Sequence, residues 1–380
     1  MPVLAYIGIV LSLIYAVLML IYRAGWGRQA YFKPKPGFRA QTSISVIIPA
    51  RNEEDNIGSC IEAIRRQNYP EELYEIIVVD DHSTDGTADS VKSLLRNNIH
   101  YINLEDELDA KEVTNAYKKR ALSCGIAKAK GNLIVTTDAD CIAKENWLLN
   151  IAALYQRENS KLVIMPVDFT SNGSVVETFQ SLDFMSMQGI TVASYQMNLG
   201  NMCNGANLAF DKVAYHEVGG YDGIDHIASG DDYLLMMKLK KRYPTGISYL
   251  KSEEVIVSTA PQPDWAGFFG QRVRWASKSG KYDDKKLTYV LAFAYIYNLL
   301  FVTIALLSVS NSIYLQPLFM MFVLKLVSEL IYLMPVARFF KKQRQLLLFP
   351  LFEPVHMLYV VLAGFFGAIG VYSWKGRTVR

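Results

Sequence analysis

Charge and cysteine are both scarce in this sequence. Only 20% of its 380 residues are charged, and 39 Lys and Arg against 36 Asp and Glu leave a net charge of +3. A charge this small argues against nucleic acid as the main partner. The 4 cysteines lie far apart and form no CxxC pair, which argues against a disulfide framework and a zinc site. No GxxxxGK(S/T) or GxGxxG loop follows a strand-like run, which argues against P-loop NTPases and dinucleotide enzymes.

The charges are also unevenly distributed. They crowd into residues 33–286 while both ends of the chain are long apolar runs, so we predict a membrane protein with one large soluble domain. The uncharged run 3–22 is long enough to span as a helix, and it lacks the basic start and small-residue cleavage site of a signal peptide. Basic residues follow it at 23, 28, 33, 35 and 39. By the positive-inside rule they place the soluble domain in the cytoplasm.

Three further apolar runs lie near the C-terminal end. Runs 287–310 and 313–337 have basic flanks and predict a hairpin with both ends in the cytoplasm. Lys325 and Glu329 share one helix face, which predicts a structural ion pair, with a lipid-headgroup contact as the alternative. The last run, 346–372, contains two prolines and a glutamate, and one straight span would put its basic tail outside. A broken or re-entrant hairpin, or an interfacial helix followed by a span, are the open alternatives.

The soluble part alternates between strand-like and helix-like segments. Short apolar runs at 43–49, 75–79 and 132–137 predict buried parallel strands. Amphipathic patterns between them predict helices, so the expected fold is a doubly wound α/β sheet. Ligands of such sheets bind beyond the carboxyl ends of the strands. Polar and acidic residues follow all three runs, and we expect them to gather on one rim of the sheet.

Two aspartates follow the third run. Asp138 and Asp140 are two residues apart, so at the end of a strand they project to the same side. Such carboxylates repel one another unless a cation lies between them, and Mg²⁺ or Mn²⁺ held with substrate phosphates is the expected occupant. A solvated turn is the alternative for this pair, as it is for Asp80, Asp81 and Asp85. Two acidic strand ends in one α/β unit favour the functional interpretation.

Two later motifs also carry candidate site residues. A Gly-Asp-Asp triplet ends at Asp232 and precedes an amphipathic helix, for which we predict Asp231 as the cap. The segment QRVRW contains Arg274 and Trp275, which suit a phosphate clamp and a stacking platform. The same residues suit an interfacial helix at a membrane surface, and both interpretations can hold together.

Taken in order, these segments resemble glycosyltransferase family 2, in the membrane-integrated branch that includes cellulose, chitin and hyaluronan synthases and ceramide glucosyltransferases. The matching segments are SVIIPARNEE, VVDDHSTDGT, KKRALSCGIAKAKGNLIVTTDADC, NGANLAF, GGYD with SGDD, and QRVRW, over residues 43 to 280. The resemblance implies a GT-A fold with a mixed sheet, a nucleotide-sugar donor that is usually UDP-linked, a divalent metal and inversion at the anomeric carbon. His82 stands where the family frequently has glycine.

The resemblance also implies a role for each matching residue. The positions that match donor-binding residues are Pro49, Ala50, Arg51, Glu53, Asp80, Asp81, Lys118, Asp138 and Asp140. Asp140, with Asp138 beside it, matches the metal ligand, and Asp232 matches the catalytic base. The acceptor and diphosphate end is matched by Gln271, Arg274 and Trp275.

The expected organisation follows from these assignments. It comprises a transmembrane helix (1–24), a basic linker (25–42), a GT-A domain (43–260), an interfacial segment (261–286), two or three spans (287–373) and a basic tail (374–380). We predict a metal-dependent inverting glycosyltransferase of the plasma or inner membrane that faces the cytoplasm and acts on a lipid or lipid-linked acceptor. No nucleic-acid partner and no obligatory protein partner is expected. A processive polysaccharide synthase is the alternative, and a non-catalytic membrane scaffold is a third interpretation.

Overall fold

The computed structural model describes residues 2–107, 116–225, 227, 230–277 and 284–369, and the backbone of two short strands beyond them. These residues form two compact units. The sheet unit contains Ala30–Asp168 and Cys203–Ala260, and the helical unit contains Met1–Gln29, Phe169–Met202 and Pro261–Arg380. Residues 169–202, which we assigned to the GT-A domain, therefore group with the apolar helices.

Nine strands lie in or next to the sheet unit. Their bounds are β1 (Ile44–Ala50), β2 (Tyr74–Asp80), β3 (Ile99–Asn103), β4 (Leu133–Thr136), β5 (Leu162–Ile164), β6 (Val167–Phe169), β7 (Leu208–Asp211), β8 (Ile247–Tyr249) and β9 (Val257–Thr259). Seven of them form one sheet in the order β3-β2-β1-β4-β7-β5-β8, and β6 pairs with β9 separately. The four neighbouring strands β3, β2, β1 and β4 are parallel to one another. Strand β7 runs antiparallel to both its neighbours, β4 and β5. The predicted mixed α/β sheet is confirmed.

The register of the central strands sets the position of the rim. Ala50 pairs with Asp80, so β1 and β2 end at the same level. Thr136 pairs with Ile47, so the chain that follows β4 passes the last residues of β1. Both central strands are buried almost throughout, as their unbroken apolar runs predict. The segments that leave β1, β2 and β4 therefore start from one rim of the sheet.

Helices connect these strands. The helices of the two units share one numbering along the chain. Those of the sheet unit are α2 (Ile57–Arg65), α3 (Thr87–Ser93), α4 (Tyr117–Lys128), α5 (Trp147–Glu158), α7 (Lys212–Glu217) and α8 (Asp231–Arg242). Helix α4 packs on β1 and β2 at very short range. A Cβ at Gly125 would lie 2.7 Å from Cγ2 of Ile47 and 3.0 Å from Cγ2 of Val79, so only glycine permits this approach.

The helical unit contains the long apolar helices. Its elements are α1 (Val3–Arg28), α6 (Val175–Met197), α9 (Trp265–Ala276), α10 (Lys285–Ser310), α11 (Leu315–Phe339) and α12 (Phe349–Ile369). By length and composition, α1, α10, α11 and α12 are able to cross a membrane. Helix α1 continues to Arg28, beyond the predicted end at residue 24. Residues 375, 376 and 380 of the predicted basic tail lie outside the described residues. The backbone strands Tyr372–Trp374 and Arg377–Val379 pair antiparallel.

Most of the last apolar run forms one helix, α12, so the predicted broken or re-entrant hairpin is wrong. A short 3₁₀ turn, Gln345–Leu348, precedes α12 in place of the alternative interfacial helix. Pro350 lies in the first turn of α12, where the backbone N–H groups have no helical acceptor in any case. Pro354 lies inside the helix. Glu353, between them, is fully buried, and its Oε1 lies 2.6 Å from Nζ of Lys325.

Lys325 is the centre of a buried ionic group in the helical unit. It pairs with Glu329 on its own helix, which confirms the predicted ion pair, and with Glu353 of α12. Tyr15 of α1 donates a hydrogen bond to Glu329. One buried ammonium therefore serves two buried carboxylates, and the group joins three of the long helices.

We expect Lys325→Met to destabilise the helical unit strongly. The methionine fills a similar volume but leaves two buried carboxylates without a cation, and such losses cost about 3–5 kcal/mol. Thermal unfolding in detergent should show the midpoint falling for this variant. Lys286→Met, an exposed lysine at the start of α10, is the matched control and should leave the midpoint unchanged. Equal midpoints for the two variants would show that this ion group does not hold the helices together.

Candidate active site

A lysine and an aspartate meet beyond the end of β4. Asp138, two residues after the strand, accepts a hydrogen bond from Nζ of Lys118 through Oδ1 at 2.7 Å. Lys118 is the second residue of α4, so the start of this helix and the end of this strand supply the pair. Both side chains are partly exposed, at 27% for Lys118 and 37% for Asp138. The pair is therefore open to a ligand above the rim.

The start of α8 adds a second carboxylate to this lysine. Oδ2 of Asp231 lies 3.7 Å from Nζ of Lys118. Burial opposes the charge on Lys118, but the attraction of Asp138, Asp231 and Asp232 outweighs it and raises its pKa above the usual range. Lys118 is therefore a permanent cation among carboxylates. It balances part of the negative charge and leaves the rest for a cationic or hydrogen-bonding ligand.

Asp232 is held by the backbone of two segments. Its Oδ2 accepts from the N–H of Gly205 at 2.9 Å, and its Oδ1 accepts from the N–H of Tyr233 at 2.8 Å. Two backbone donors fix the plane of this carboxylate. The cap predicted at Asp231 is wrong in its position, because the N-cap residue is Gly230 and Asp231 is the first residue of α8.

Gly205 lies at the centre of this arrangement. A Cβ on it would lie 3.2 Å from Oδ2 of Asp231, 3.5 Å from Cβ of Asp232 and 3.6 Å from Nζ of Lys118. Its carbonyl accepts from Oγ1 of Thr136 at 2.9 Å, which ties it to the end of β4. The glycine thus brings the chain before β7 into contact with both aspartates.

Asp140 is placed differently from Asp138. Its Oδ2 accepts from Oγ1 of Thr259 in β9 at 3.0 Å. Burial, together with repulsion by Asp138 and Glu53, raises the pKa of Asp140. Three carboxylates, those of Asp138, Asp140 and Glu53, therefore act on one region, and Lys118 pairs with Asp138 among them.

The oxygen donors of Asp138 and Asp140 suit a divalent cation. Carboxylates are the ligands that Mg²⁺ and Mn²⁺ prefer, and Mg²⁺ typically takes one or two of them together with substrate phosphates and water. Among the described residues, no group of three or more His, Cys, Asp or Glu side chains is arranged to hold a metal by itself. The carboxylate oxygens of Asp138 and Asp140 are chemically suited to share a divalent cation with a phosphate-bearing substrate.

The loops after β1 and β2 interlock at the same rim. Nη1 of Arg51 donates to the carbonyls of Asp81 at 2.7 Å and His82 at 3.2 Å. The N–H of Asp81 donates to the carbonyl of Ala50 at 2.8 Å, and Pro49 pairs with Val79 in the sheet. The predicted donor-binding residues of both strands are therefore neighbours.

His82 has a left-handed backbone, with φ of +57°. This conformation explains why glycine suits the position, although histidine is one of the residues that tolerate it. Asp80 lies beneath the turn, 3% exposed, and accepts from the N–H of Ser83 and the hydroxyl of Tyr101. Asp81 is also buried, and its Oδ1 lies 2.9 Å from Nδ1 of His82.

Gln271, Arg274 and Trp275 belong to α9 in the helical unit. They share this helix with Arg272, which is buried and donates to Oδ2 of Asp183 through Nε at 2.9 Å and Nη2 at 2.6 Å. The Arg272 guanidinium also lies 4.3 Å from the ring centre of Trp275. Arg272, for which the sequence suggested no role, therefore fixes this helix to α6 through Asp183. Residues 278–283 of the predicted interfacial segment lie outside the described residues.

Sequence reasoning missed several groups at the rim. Thr259 and Gly205 are far in sequence from the acids that they contact. Gly205 lies in the matching segment NGANLAF, but nothing in that segment indicates its contact with the acids, and no local pattern points to Thr259. The loop after β1 is tied to the loop after β2 through Asn52, whose Oδ1 accepts from the N–H of Thr84 at 2.8 Å. Glu53 donates its N–H to Oγ1 of Thr87 at 2.8 Å. The sequence indicates these two hydrogen bonds only indirectly, through the turn-forming composition of the loop after β2.

Comparison with known proteins gives two family matches. Residues 133–367 match the family model described as Glycosyl transferase family group 2, and residues 45–219 match that described as Glycosyl transferase family 2. The first match covers more than half of the chain. Together the two matches extend from β1 into α12.

Curated relatives are similar at lower identity. Glycosyltransferase AglE of Haloferax volcanii is 28% identical over 240 residues, which are 63% of this chain and 72% of the relative. The dolichyl N-acetyl-alpha-D-glucosaminyl phosphate 3-beta-D-2,3-diacetamido-2,3-dideoxy-beta-D-glucuronosyltransferase of Methanococcus voltae is 37% identical over 116 residues, 30% of this chain and 34% of that protein. A poly-beta-1,6-N-acetyl-D-glucosamine synthase of Staphylococcus epidermidis is 25% identical over 287 residues, 70% of this chain and 64% of the synthase. The match thus spans less than two thirds of the last two.

One solved structure resembles the fold over nearly its whole length. The mannosyltransferase PcManGT from Pyrobaculum calidifontis, in complex with GDP-Man and Mn2+, superposes with a TM-score of 0.60. The match covers 97% of this chain and 99% of that chain, at 18% identity. This likeness shows the fold and confirms the predicted GT-A class.

We expect Gly205→Ala to lower activity more than stability. The new methyl group must displace Asp231 by a few tenths of an ångström, and misplacement of site groups costs roughly tenfold or more in rate. The local overpacking should cost about 1–3 kcal/mol of unfolding free energy. Single-turnover transfer and thermal unfolding measure the two effects.

Gly58→Ala in α2 is the matched control for this prediction. A Cβ at Gly58 meets no atom within 4 Å, so the change should stabilise the helix by about 0.5–1 kcal/mol and leave transfer intact. If Gly205→Ala transfers sugar as fast as Gly58→Ala, the close packing around Gly205 has no role in the site.

Proposed function

This chain belongs to glycosyl transferase family group 2 and is a glycosyltransferase, and from that premise we propose that it moves a sugar, with inversion, from a nucleotide-sugar donor to a lipid or lipid-linked acceptor. UDP is the nucleotide that we propose, and Mn²⁺ or Mg²⁺ the metal. The observation that carries the proposal is the group formed by Lys118, Asp138 and Asp231 at the rim of the sheet. It places a fixed cation and several carboxylates at the end of the strands where ligands of such sheets bind.

The donor side of the proposed site comprises the loops after β1 and β2 together with Asp138 and Asp140. The residues that we propose to line the nucleotide pocket are Pro49, Ala50, Arg51, Glu53, Asp80 and Asp81. We assign Lys118 to the diphosphate, where a cation offsets the negative charge that grows as the sugar leaves. Asp140, with Asp138, would hold the divalent metal, which when bound stabilises the departing diphosphate as a Lewis acid.

The acceptor side needs a base. A sugar or lipid hydroxyl is a poor nucleophile, so an inverting transfer benefits from a carboxylate that takes its proton during displacement. We assign this role to Asp232, whose carboxylate is oriented by two backbone N–H donors. The departing nucleoside diphosphate needs no proton, so a single carboxylate is sufficient for the step. This differs from the pair of carboxylates that a glycoside hydrolase uses.

Three features support a membrane acceptor. In the described part of the chain, four helices are apolar and long enough to cross a membrane, and a similar protein is named for a dolichyl-linked glycosyl phosphate. The aromatic and basic helix α9, with Gln271, Arg274 and Trp275, suits a role at the membrane surface, where an acceptor is delivered. The basic residues after α1 support a cytoplasmic site.

Polymer synthesis is the second candidate function. It is favoured by the likeness to a poly-beta-1,6-N-acetyl-D-glucosamine synthase and by the QxxRW motif. Expression of the protein in a host, followed by mass spectrometry of its lipids, tests the first function. A lipid that gains one sugar supports single transfer, whereas a soluble or lipid-linked polymer supports the second function. A UDP-sugar and a GDP-sugar offered in parallel identify the nucleotide.

We expect Asp140→Asn to abolish metal-dependent donor binding. The change removes a fixed charge that would offset the metal and leaves a neutral amide, which is a weaker ligand for a hard cation. Calorimetry of UDP binding with and without Mn²⁺ measures the effect. Asp55→Asn, an exposed aspartate on the same loop after β1, is the control and should bind normally. Unchanged Mn²⁺-dependent affinity in Asp140→Asn would overturn the metal assignment.

We expect Asp232→Asn to bind the donor normally but to lose transfer. Loss of a positioned general base typically lowers the rate by about 10²–10⁴-fold, whereas loss of a donor contact shows in affinity. Asp231→Asn serves as the comparison, because it weakens the attraction to Lys118 and should have the milder effect. UDP affinity and single-turnover transfer are measured for both variants. An inactive Asp231→Asn beside an active Asp232→Asn would exchange the two roles, and two active variants would exclude a carboxylate base at this motif.

A further inference from the structure

A groove runs along the outer face of the helical unit between α1 and α11. Its volume is about 470 Å³, within the range of typical ligand sites. Its lining is apolar along most of its length, with Val327, Ile331 and Met334 of α11 each about half exposed. Two arginines complete the lining, Arg23 from α1 and Arg338 from α11.

The two arginines lie at one end of the groove. Helices α1 and α11 run in the same direction. The ring of Tyr22 lies 6.0 Å from that of Tyr332, and the next pair along both helices, Trp26 and Phe339, has ring centres 5.5 Å apart. The C-terminal ends of both helices therefore meet. Arg23 and Arg338 each belong to the last turns of their helices, so both guanidinium groups lie at this shared end.

The lining residues that α11 contributes form a single stripe along the helix. Residues 327, 331, 334 and 338 follow one another at intervals of four, three and four, so they lie on one helix face. Three of them are apolar and the last is Arg338. An apolar stripe that ends in a cation matches a molecule with a hydrocarbon tail and an anionic head.

The charge of this end is not balanced by the protein. In the described part of the chain, neither Arg23 nor Arg338 has a hydrogen-bond or ion-pair partner. Two like charges that line one groove repel, and a shared anion relieves the repulsion. Guanidinium groups bind phosphate oxygens through paired N–H donors, so a phosphate suits this position better than a single carboxylate does.

We propose that this groove binds an anionic glycerophospholipid, with its phosphate between Arg23 and Arg338 and an acyl chain along Val327, Ile331 and Met334. The groove is open on the outer face of the helices, where bulk membrane lipid is abundant. Basic sites between membrane helices at the positively flanked side are suited to anionic headgroups. The lipid occupies a site separate from the sugar-transfer residues, all of which lie on other elements.

The test uses the full chain in nanodiscs of equimolar phosphatidylglycerol and phosphatidylcholine, followed by native mass spectrometry of the released protein. We expect the wild type to retain one phosphatidylglycerol in preference to phosphatidylcholine. The double variant Arg23→Gln/Arg338→Gln should lose this preference, because each lost charged contact to phosphate weakens binding roughly tenfold. Arg28→Gln/Arg344→Gln removes the same charge from the same end but outside the groove, and should retain the lipid.

A second pair of variants tests the hydrocarbon part with all arginines intact. Ile331→Trp fills the groove and should reduce the retained phosphatidylglycerol, whereas Leu306→Trp, at an exposed position of α10 outside the groove, should not. Equal loss in both arginine double variants would overturn the proposal in favour of general surface charge. Retention of phosphatidylcholine as strong as that of phosphatidylglycerol would also overturn the proposal. So would displacement of the lipid by added polyprenyl phosphate that then receives sugar, because the groove would then be the acceptor site.

Discussion

Repulsion between carboxylates at the rim of the sheet is the constraint on which the site depends. Asp138, Asp140, Asp231 and Asp232 come from two segments of the chain, and only a cation allows them to share one region. Lys118 supplies one such charge, 2.7 Å from Asp138 and 3.7 Å from Asp231. The acids are therefore only partly neutralised by the protein. A diphosphate substrate with its metal is the kind of ligand that this partial balance suits.

The two loops beside this cluster show how backbone geometry supports the chemistry. β1 and β2 end at the same level, which sets the loops side by side. Both loops then turn through residues with a left-handed backbone, Asn52 at φ +50° and His82 at φ +57°. Side chains of each loop bond the backbone of the other, so neither is free to move alone. Asp80 stabilises the second loop by accepting a hydrogen bond from the N–H of Ser83, and the carboxylate of Asp81 contacts the ring of His82.

In the helical unit, unlike at the rim, the buried charges are paired with one another by the protein. Charges buried among apolar helices are costly, so each must be paired within the unit. Lys325 pairs with two glutamates, and Arg272 pairs with Asp183, which also accepts from the hydroxyl of Tyr359. Through Arg272 the helix that carries Gln271, Arg274 and Trp275 is fixed to α6 and α12. The position of that motif therefore depends on an ion pair made by Arg272, one of the two residues that the pattern QxxRW leaves unspecified.

The sequence alone determined the class of the sheet, the apolar helices α1, α10 and α11, and the rim on which the acids gather. These features follow from local periodicity and from the rule that parallel strands present their carboxyl ends together, so a one-dimensional pattern is enough. The tertiary structure alone decided which acid faces which partner. Asp231 and Asp232 are adjacent in sequence, yet one lies beside Lys118 and the other on the backbone of Gly205. Contacts such as Thr259 to Asp140 and Arg272 to Asp183 join distant parts of the chain, and side-chain direction at those points is set by packing that no local pattern encodes.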